Sequence, residues 1–138
     1  MLEPECQRRD VDLQIQTDDA VLVQADSVAL DQIIHNLLMN ALQALEKSDK
    51  LPRTLRVAVA NRVSKGELLV ADNGYGIPPD VLPHLFEPFF STRDSGLGLG
   101  LTLCETLANG MGGQLSVRNQ VDGGAAFTLT LPLVKALP

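Results

Sequence analysis

Hydrophobic and polar positions alternate in several short segments of the chain. Val11, Leu13 and Ile15, for example, are each followed by a polar residue. A period of two is typical of strands that bury one face, and a short apolar run that ends in glycines, as at 66–71, is typical of a more deeply buried strand. The pattern predicts strands at 11–16, 20–23, 55–59, 66–71, 115–117 and 127–131.

A helical period is clearest over residues 27–46. The apolar residues of this segment fill one arc of about 180°. Asp26 or Ser27 can cap its first turn, because a short polar side chain accepts a hydrogen bond from the first free N–H groups. A second helix is predicted over 98–109 and a shorter one over 79–85.

Two strand pairs are separated by turns that suit antiparallel pairing, namely 55–60 with 67–71 and 115–118 with 126–131. Because helices interleave with these strands, we expect a two-layer α/β sandwich, in which helices cover one face of a mixed, mostly antiparallel sheet. A length of 138 residues and the absence of repeats predict one domain, 1–138.

Composition narrows the class of function. The net charge of −6 argues against binding to nucleic acid or to an anionic membrane. No apolar run approaches the roughly 18 residues of a spanning helix, and the first residues do not resemble a signal peptide. Cys6 and Cys104 lack the spacing of a metal site or a disulfide framework, which favours a reducing compartment.

Carboxamides line the edge of the apolar face of the long predicted helix: Gln32, Asn36, Asn40 and Gln43. Amides at the edge of a core need partners, because an unpaired buried amide costs about 1–3 kcal/mol. An amide ladder or ordinary solvated surface would account for the spacing. The oxygen of Asn40 is equally suited to a hard cation such as Mg²⁺.

Two glycine-rich segments are further candidates. Residues 72–78, Asp-Asn-Gly-Tyr-Gly-Ile-Pro, follow a buried strand, where Asp72 needs hydrogen-bond donors; a plain turn explains the glycines equally well. Residues 96–101, Gly-Leu-Gly-Leu-Gly-Leu, open a predicted helix, whose free N–H groups suit phosphate. No Gly-Lys-Ser/Thr follows, so this second segment is not a P-loop.

Four motifs occur in a fixed order: Asn-Leu-Leu-Met-Asn-Ala at 36–41, Asp-Asn-Gly-Tyr-Gly-Ile at 72–77, Phe-Glu-Pro-Phe-Phe-Ser-Thr-Arg at 86–93 and the glycine run at 96–101. This series resembles the catalytic, ATP-binding domain of bacterial two-component sensor histidine kinases over about residues 11–133. The short stretch 91–95 and the Ala-Leu-Gln-Ala run at 41–44 are most similar to the nitrogen-regulatory and dicarboxylate-sensing branches.

The resemblance implies the Bergerat ATP-binding fold and a site for ATP and Mg²⁺. Asn40 would coordinate the metal, and Asn36 beside it would contact phosphate or metal-bound water. Asp72 would accept a hydrogen bond from the adenine amine, which predicts ATP over GTP. The residues implied at the base are Gly74, Gly76 and Ile77, and those at the phosphates are Gly96, Leu97, Gly98, Leu99 and Gly100.

Residues 86–98 would form a lid over the nucleotide. Within the lid, Arg93 is the side chain expected to reach the γ-phosphate, because guanidinium pairs well with phosphate oxygens; a solvated loop arginine is the alternative. The three phenylalanines of this segment would belong to the core or to a docking surface, with a core role expected for at least one: Phe86, Phe89 and Phe90.

The implied reaction is phosphoryl transfer to a histidine, with Asn36, Asn40 and Arg93 as the catalytic residues. The acceptor would lie on a separate dimerisation domain of the parent, to which residues 1–10 would connect, and a response regulator would be the indirect partner. His35 and His84 lack the acidic neighbour of a family acceptor. The resemblance thus implies a monomeric, cytoplasmic fragment of a homodimeric parent, for which anchoring in the bacterial inner membrane is an option.

Two positions depart from the family pattern. Gln43 stands where many relatives carry lysine or arginine, and Ala125 stands where many have threonine, so nucleotide affinity is expected to be weaker than average.

Two alternative functions use the same pocket: an ATPase or serine kinase such as an anti-sigma kinase, and a degenerate module that binds ATP without transferring phosphate.

Overall fold

The computed structural model describes residues 2–17, 23, 25–49, 51–87 and 97–133. Its helices are α1 (Leu2–Arg8), α2 (Ser27–Glu46) and α3 (Leu97–Gly110), and a 3-10 turn covers Leu82–His84. Its strands are β1 (Val11–Thr17), β2 (Arg53–Asn61), β3 (Lys65–Asp72), β4 (Gln114–Asn119) and β5 (Ala125–Pro132).

The five strands form one sheet in the order β1-β2-β3-β5-β4. Only β1 and β2 run parallel, and the other neighbours are antiparallel. Both predicted antiparallel pairs are confirmed, with Ala58 opposite Leu69 and Val117 opposite Phe127. The pairing of β3 with β5 puts Ala71 opposite Ala126, so the end of β3 lies beside the beginning of β5.

Helices α2 and α3 pack together on one face of the sheet. Their side chains share a core with alternate residues of the strands, as the period of two requires. Fully buried members of this core include Leu37 and Leu42 of α2, Cys104 of α3, Leu55 of β2 and Val70 of β3. The predicted two-layer sandwich with a mixed, mostly antiparallel sheet is confirmed.

The predicted boundaries of the two long helices are confirmed to within one residue. The Asp26 side chain caps α2 and accepts a hydrogen bond from the Val28 N–H at 3.0 Å. The helix predicted over 79–85 is wrong: only a 3-10 turn at 82–84 forms, because Pro83 has no N–H to continue a helical hydrogen-bond ladder.

The amino-terminal segment holds a helix where the sequence predicted only a connection over 1–10. Cys6 of α1 is buried in the shared core, and Arg9 forms ion pairs with Glu5 and with Glu46 at the end of α2. Arg53 donates to the Arg9 carbonyl at 3.0 Å. A seven-residue helix is too short to show a clear hydrophobic period in the sequence.

The strand predicted at 20–23 lies largely outside the described residues; Val23 forms an isolated bridge with Leu133. Within residues 2–17, 23, 25–49, 51–87 and 97–133, no helix has both the length and the apolar character needed to cross a membrane.

Candidate functional site

The middle of α2 lies between two of the segments that the sequence singled out. At one end, a Cβ added to Gly100 would lie 3.7 Å from Asn36 Nδ2. At the other, a Cβ added to Gly74 would lie 3.4 Å from the carbonyl oxygen of Ala44. Eight residues of helix rise about 12 Å. The side of α2 that carries Asn40 therefore spans the gap between the beginning of α3 and the loop after β3.

Asp72 is the last residue of β3 and is only 4% exposed. Its Oδ1 accepts hydrogen bonds from two main-chain N–H groups, that of Gly74 at 2.9 Å and that of Ala125 at 3.4 Å. A buried carboxylate requires such donors, and hydrogen bonds to an ionised group are among the stronger ones. The two bonds come from separate segments and fix the orientation of the carboxylate.

Asn40 is 9% exposed, and its Oδ1 is buried with no hydrogen-bond partner in the part of the chain that the structure describes. An unsatisfied buried oxygen costs about 1–3 kcal/mol, so a ligand at this atom would recover that free energy. Mg²⁺ prefers oxygen ligands and takes only one or two from the protein when phosphates and water supply the others. The residues present therefore fit a magnesium ion bound together with phosphate.

Asn36 lies one turn before Asn40 and links α2 to α3. Its Nδ2 donates to the Sγ of Cys104 at 3.4 Å. Burial raises the pKa of the Cys104 thiol above its ordinary value, although the hydrogen bond from Asn36 lowers it in part. The thiol therefore stays neutral at physiological pH and serves as an acceptor that orients the Asn36 amide.

The loop after Asp72 is tied to the beginning of β2. The Asn73 Oδ1 accepts from the Thr54 N–H at 2.8 Å, and the Nδ2 of Asn73 donates to the Pro52 carbonyl at 2.8 Å. Tyr75 Oη accepts from the Asp49 N–H at 3.2 Å. The Asp-Asn-Gly segment is therefore the turn that its composition indicates, and the same turn presents Asp72.

Gly76 and Ile77 complete this loop. Gly76 has φ +83°, in the left-handed region that favours glycine, and a Cβ there would lie 2.8 Å from Asn119 Oδ1. Ile77 is half-buried and packs against the core. Asp72, Gly74, Gly76 and Ile77 thus lie in one turn after β3, beside α2.

The predicted lid is described only at its two ends. Phe86 is half-buried against the core, which confirms a core role for one of the three phenylalanines, and its carbonyl accepts from Thr102 Oγ1 at 2.9 Å. Leu97, Gly98, Leu99 and Gly100 form the first turn of α3. The remaining predictions of this segment fall outside the described residues: Phe89, Phe90, Arg93 and Gly96.

Two residues at the turn between β4 and β5 were missed by the sequence reasoning. Asn119 hydrogen-bonds both main-chain groups of Ile77, and Gln120 bonds the main-chain carbonyl of Asp72. Their sequence, Asn-Gln-Val-Asp-Gly-Gly, indicates a turn and nothing more. Only the pairing of β3 with β5 reveals that this turn lies beside the loop.

Comparison with known proteins identifies the family of this chain. Residues 25–135 match the HATPase_c family, described as histidine kinase-, DNA gyrase B-, and HSP90-like ATPase. The C4-dicarboxylate transport sensor protein DctB of Pseudomonas aeruginosa is 42% identical over 88% of this chain and 21% of its own length. Sensor protein FixL of Bradyrhizobium diazoefficiens is 36% identical over 82% of this chain and 22% of its own. The chain therefore spans about a fifth of the length of these curated relatives.

Solved structures show the same architecture. The catalytic domain of histidine kinase ThkA superposes with a TM-score of 0.83 at 27% identity, over 95% of this chain and 84% of that one. Full-length ShkA in complex with AMPPNP superposes with a TM-score of 0.80 at 25% identity, over 99% of this chain and 28% of that one. The chain belongs to the HATPase_c family of histidine kinase-, DNA gyrase B- and HSP90-like ATPases, and is a domain of the sensor histidine kinase type.

Proposed function

We propose that this domain binds ATP with Mg²⁺ and donates the γ-phosphate to a histidine on a separate dimerisation domain of its parent, in two-component signal transduction. One combination carries the proposal: Asp72 presents a fixed, buried carboxylate at the loop beside α2, and Asn40 of α2 has a buried oxygen with no partner among the described residues. A nucleotide presents an amine-bearing base at one end and a metal-bound triphosphate at the other, which suits this pair.

The carboxylate of Asp72 would recognise the base of the nucleotide. Adenine carries an exocyclic amine that donates to a carboxylate, whereas guanine carries a carbonyl at that position, which would place two acceptors face to face. The main-chain bonds to Asp72 Oδ1 prevent the carboxylate from turning away. The site therefore favours ATP over GTP, and Gly74, Gly76 and Ile77 would line the base.

The carboxamides of α2 and the first turn of α3 would hold the triphosphate. Magnesium bound with the nucleotide would offset part of the phosphate charge, with Asn40 Oδ1 as its protein ligand. Asn36, oriented by Cys104, would contact phosphate or metal-bound water. The free N–H groups at the beginning of α3, residues 97–100, are of the kind that binds phosphate, and the missing side chain of Gly100 leaves space beside Asn36. Arg93 remains the predicted contact to the γ-phosphate.

The phosphoacceptor would lie outside this chain. His84 is exposed and bonded to Glu87, with its Nδ1 2.8 Å from Oε2, and His35 is an exposed residue of α2 followed by Asn36. Transfer of this kind depends chiefly on positioning and on charge neutralisation.

The partners would be the dimerisation domain of a homodimeric parent and, indirectly, a response regulator; histidine kinase ThkA has been solved in complex with the response regulator TrrA. The domain itself would be a monomer on the cytoplasmic side.

Replacement of Asp72 by asparagine tests the nucleotide site. Because Asn Oδ1 can still accept from the two main-chain donors, Asp72→Asn should fold, yet one side-chain position now presents an amide donor to the adenine amine. We expect the affinity for Mg-ATP, measured by calorimetry, to fall at least roughly tenfold, about 1.4 kcal/mol. Asp31→Asn, an exposed carboxylate of α2, is the matched control and should bind as the wild type does. Equal affinities in all three proteins would contradict the role of Asp72.

Phosphoryl transfer is tested with radiolabelled ATP and the parent's dimerisation domain. We expect label on a histidine of that domain, labile in acid and stable in base. Label on serine would favour a serine kinase of the same fold, and nucleotide binding with no transfer would favour a degenerate regulatory module.

A further inference from the structure

The turn that joins β4 and β5, residues 120–124, lies directly against the loop 72–77, together with Asn119, the last residue of β4. The Asn119 side chain forms two hydrogen bonds to one residue of that loop: its Oδ1 accepts from the Ile77 N–H at 2.8 Å, and its Nδ2 donates to the Ile77 carbonyl at 2.7 Å. Since a peptide offers one donor and one acceptor here, a carboxamide in this orientation satisfies both groups at once.

The same turn holds the other end of the loop. Gln120 Nε2 donates to the Asp72 carbonyl at 2.8 Å, and the Ala125 N–H donates to the Asp72 carboxylate. Gly124, with φ +87°, lies so close that an added Cβ would be 1.9 Å from the Asp72 carbonyl oxygen. The turn and Asn119 together therefore contact both Asp72 and Ile77, the first and last members of the proposed base-binding loop.

The turn is itself well defined. The Gln120 N–H donates to the Gly124 carbonyl at 2.8 Å, and the Gly123 N–H donates to the Gln120 carbonyl at 3.2 Å. Asn119 pairs with Ala125 in the β4–β5 ladder. A turn closed by these bonds is a fixed reference against which the loop is placed.

We infer that Asn119 and Gln120 are positioning residues that set the preference for adenine over guanine, by fixing the main chain of residues 72–77 relative to the Asp72 carboxylate. This inference rests on the proposed function of the site. Neither residue touches the base in this scheme. The loop packs on the base and so sets where the base lies. If the distance between this loop and the Asp72 carboxylate is fixed, guanine cannot move its carbonyl away from the carboxylate and is rejected.

Isosteric substitutions test the inference. Asn119→Asp keeps the acceptor for the Ile77 N–H but sets a carboxylate oxygen against the Ile77 carbonyl, and Gln120→Glu does the same against the Asp72 carbonyl. Gln114→Glu is the matched control, because it adds the same charge to an exposed position at the far end of β4. Asn119 is exposed, so Asn119→Asp should still fold, as a cooperative urea transition would show, and Gln120→Glu provides a second, independent variant.

The measured quantity is the ratio of the dissociation constants for Mg-GTP and Mg-ATP, obtained by displacement of a fluorescent nucleotide. We expect this ratio to fall roughly tenfold in Asn119→Asp and in Gln120→Glu, as for the loss of one positioning hydrogen bond, and to stay at the wild-type value in Gln114→Glu. Added negative charge alone weakens both triphosphates equally and leaves the ratio unchanged.

A wild-type ratio in both variants would overturn the inference while leaving the proposed function intact. A wild-type protein that binds ATP no better than GTP would instead refute the role of Asp72, and the inference with it.

Discussion

The unsatisfied oxygen of Asn40 leads to a prediction about stability as well as binding. In the protein without nucleotide, burial of Asn40 Oδ1 with no partner among the described residues is a cost of about 1–3 kcal/mol. Alanine is also the better helix former, by up to about 0.7 kcal/mol. Asn40→Ala removes the oxygen and leaves only a small cavity, so we expect it to stabilise the nucleotide-free domain by about 1 kcal/mol.

Bound nucleotide should reverse the order of stability, so that the wild type becomes more stable than Asn40→Ala. A ligand at a hundred times its dissociation constant stabilises the folded protein by about 2.7 kcal/mol, and Asn40→Ala should lose the part of this response that depends on Mg²⁺. The assay is urea unfolding followed by circular dichroism, with and without Mg²⁺ and a non-hydrolysable ATP analogue. Variant and wild type should then exchange rank between the two conditions.

Two comparisons make the result specific. Asn36→Ala removes an amide of the same helix that does have a partner, Cys104, and should destabilise the nucleotide-free domain. Gln32→Ala changes an exposed amide and should alter neither condition appreciably. The reasoning is refuted if Asn40→Ala loses more than about 2 kcal/mol without nucleotide, the cost typical of an ordinary core truncation, or if it keeps the full magnesium dependence.

Two further predictions concern the packing around the site. Gly124→Ala should lower the free energy of unfolding by about 3 kcal/mol or more in a urea titration, because the new Cβ would overlap the Asp72 carbonyl and the φ of Gly124 is positive. The control is Gly110→Ala, whose Cβ would have nothing within 4 Å and which should stabilise the domain by about 0.5 kcal/mol. Equal effects of the two substitutions would contradict the clash at Gly124. The raised pKa of Cys104 means that the folded state holds this proton more tightly than the unfolded state, so stability should fall as pH rises above about 9. Urea midpoints between pH 8 and 10.5 should show a shallower decline in Cys104→Ala, and parallel curves would contradict the assignment.

The parts of the fold that local pattern determines could be predicted from the sequence. Helix α2 has a long apolar arc and a capping aspartate, and both were found at the predicted positions. The location of Asp72 at a strand end also follows from a buried run followed by a turn signal. Three of the four carboxamides of α2 are at least half-buried, as their spacing indicated, namely Asn36, Asn40 and Gln43, whereas Gln32 is exposed. The structure adds that Asn40 Oδ1 has no partner among the described residues.

Features that depend on distant segments could not be predicted in this way. The order of the strands brings the beginning of β5 to Asp72, and only then do Ala125 and Gln120 become neighbours of the carboxylate. Asn119 carries no local signal, because its partners are the main-chain groups of a residue 42 positions away. The short helix α1 contributes the buried Cys6 to the shared core, which no periodicity in its seven residues indicated.

Two peptide groups, those of residues 74 and 125, donate hydrogen bonds to the Asp72 Oδ1 atom. Every amino acid except proline supplies the same N–H, so a substitution at position 125 that preserves the main chain leaves this hydrogen bond to the carboxylate in place. The alanine at position 125 therefore does not weaken the anchoring of the carboxylate. Because position 125 is buried, natural variants of this chain should carry small side chains there and exclude proline, and an inventory of such variants would show that boundary.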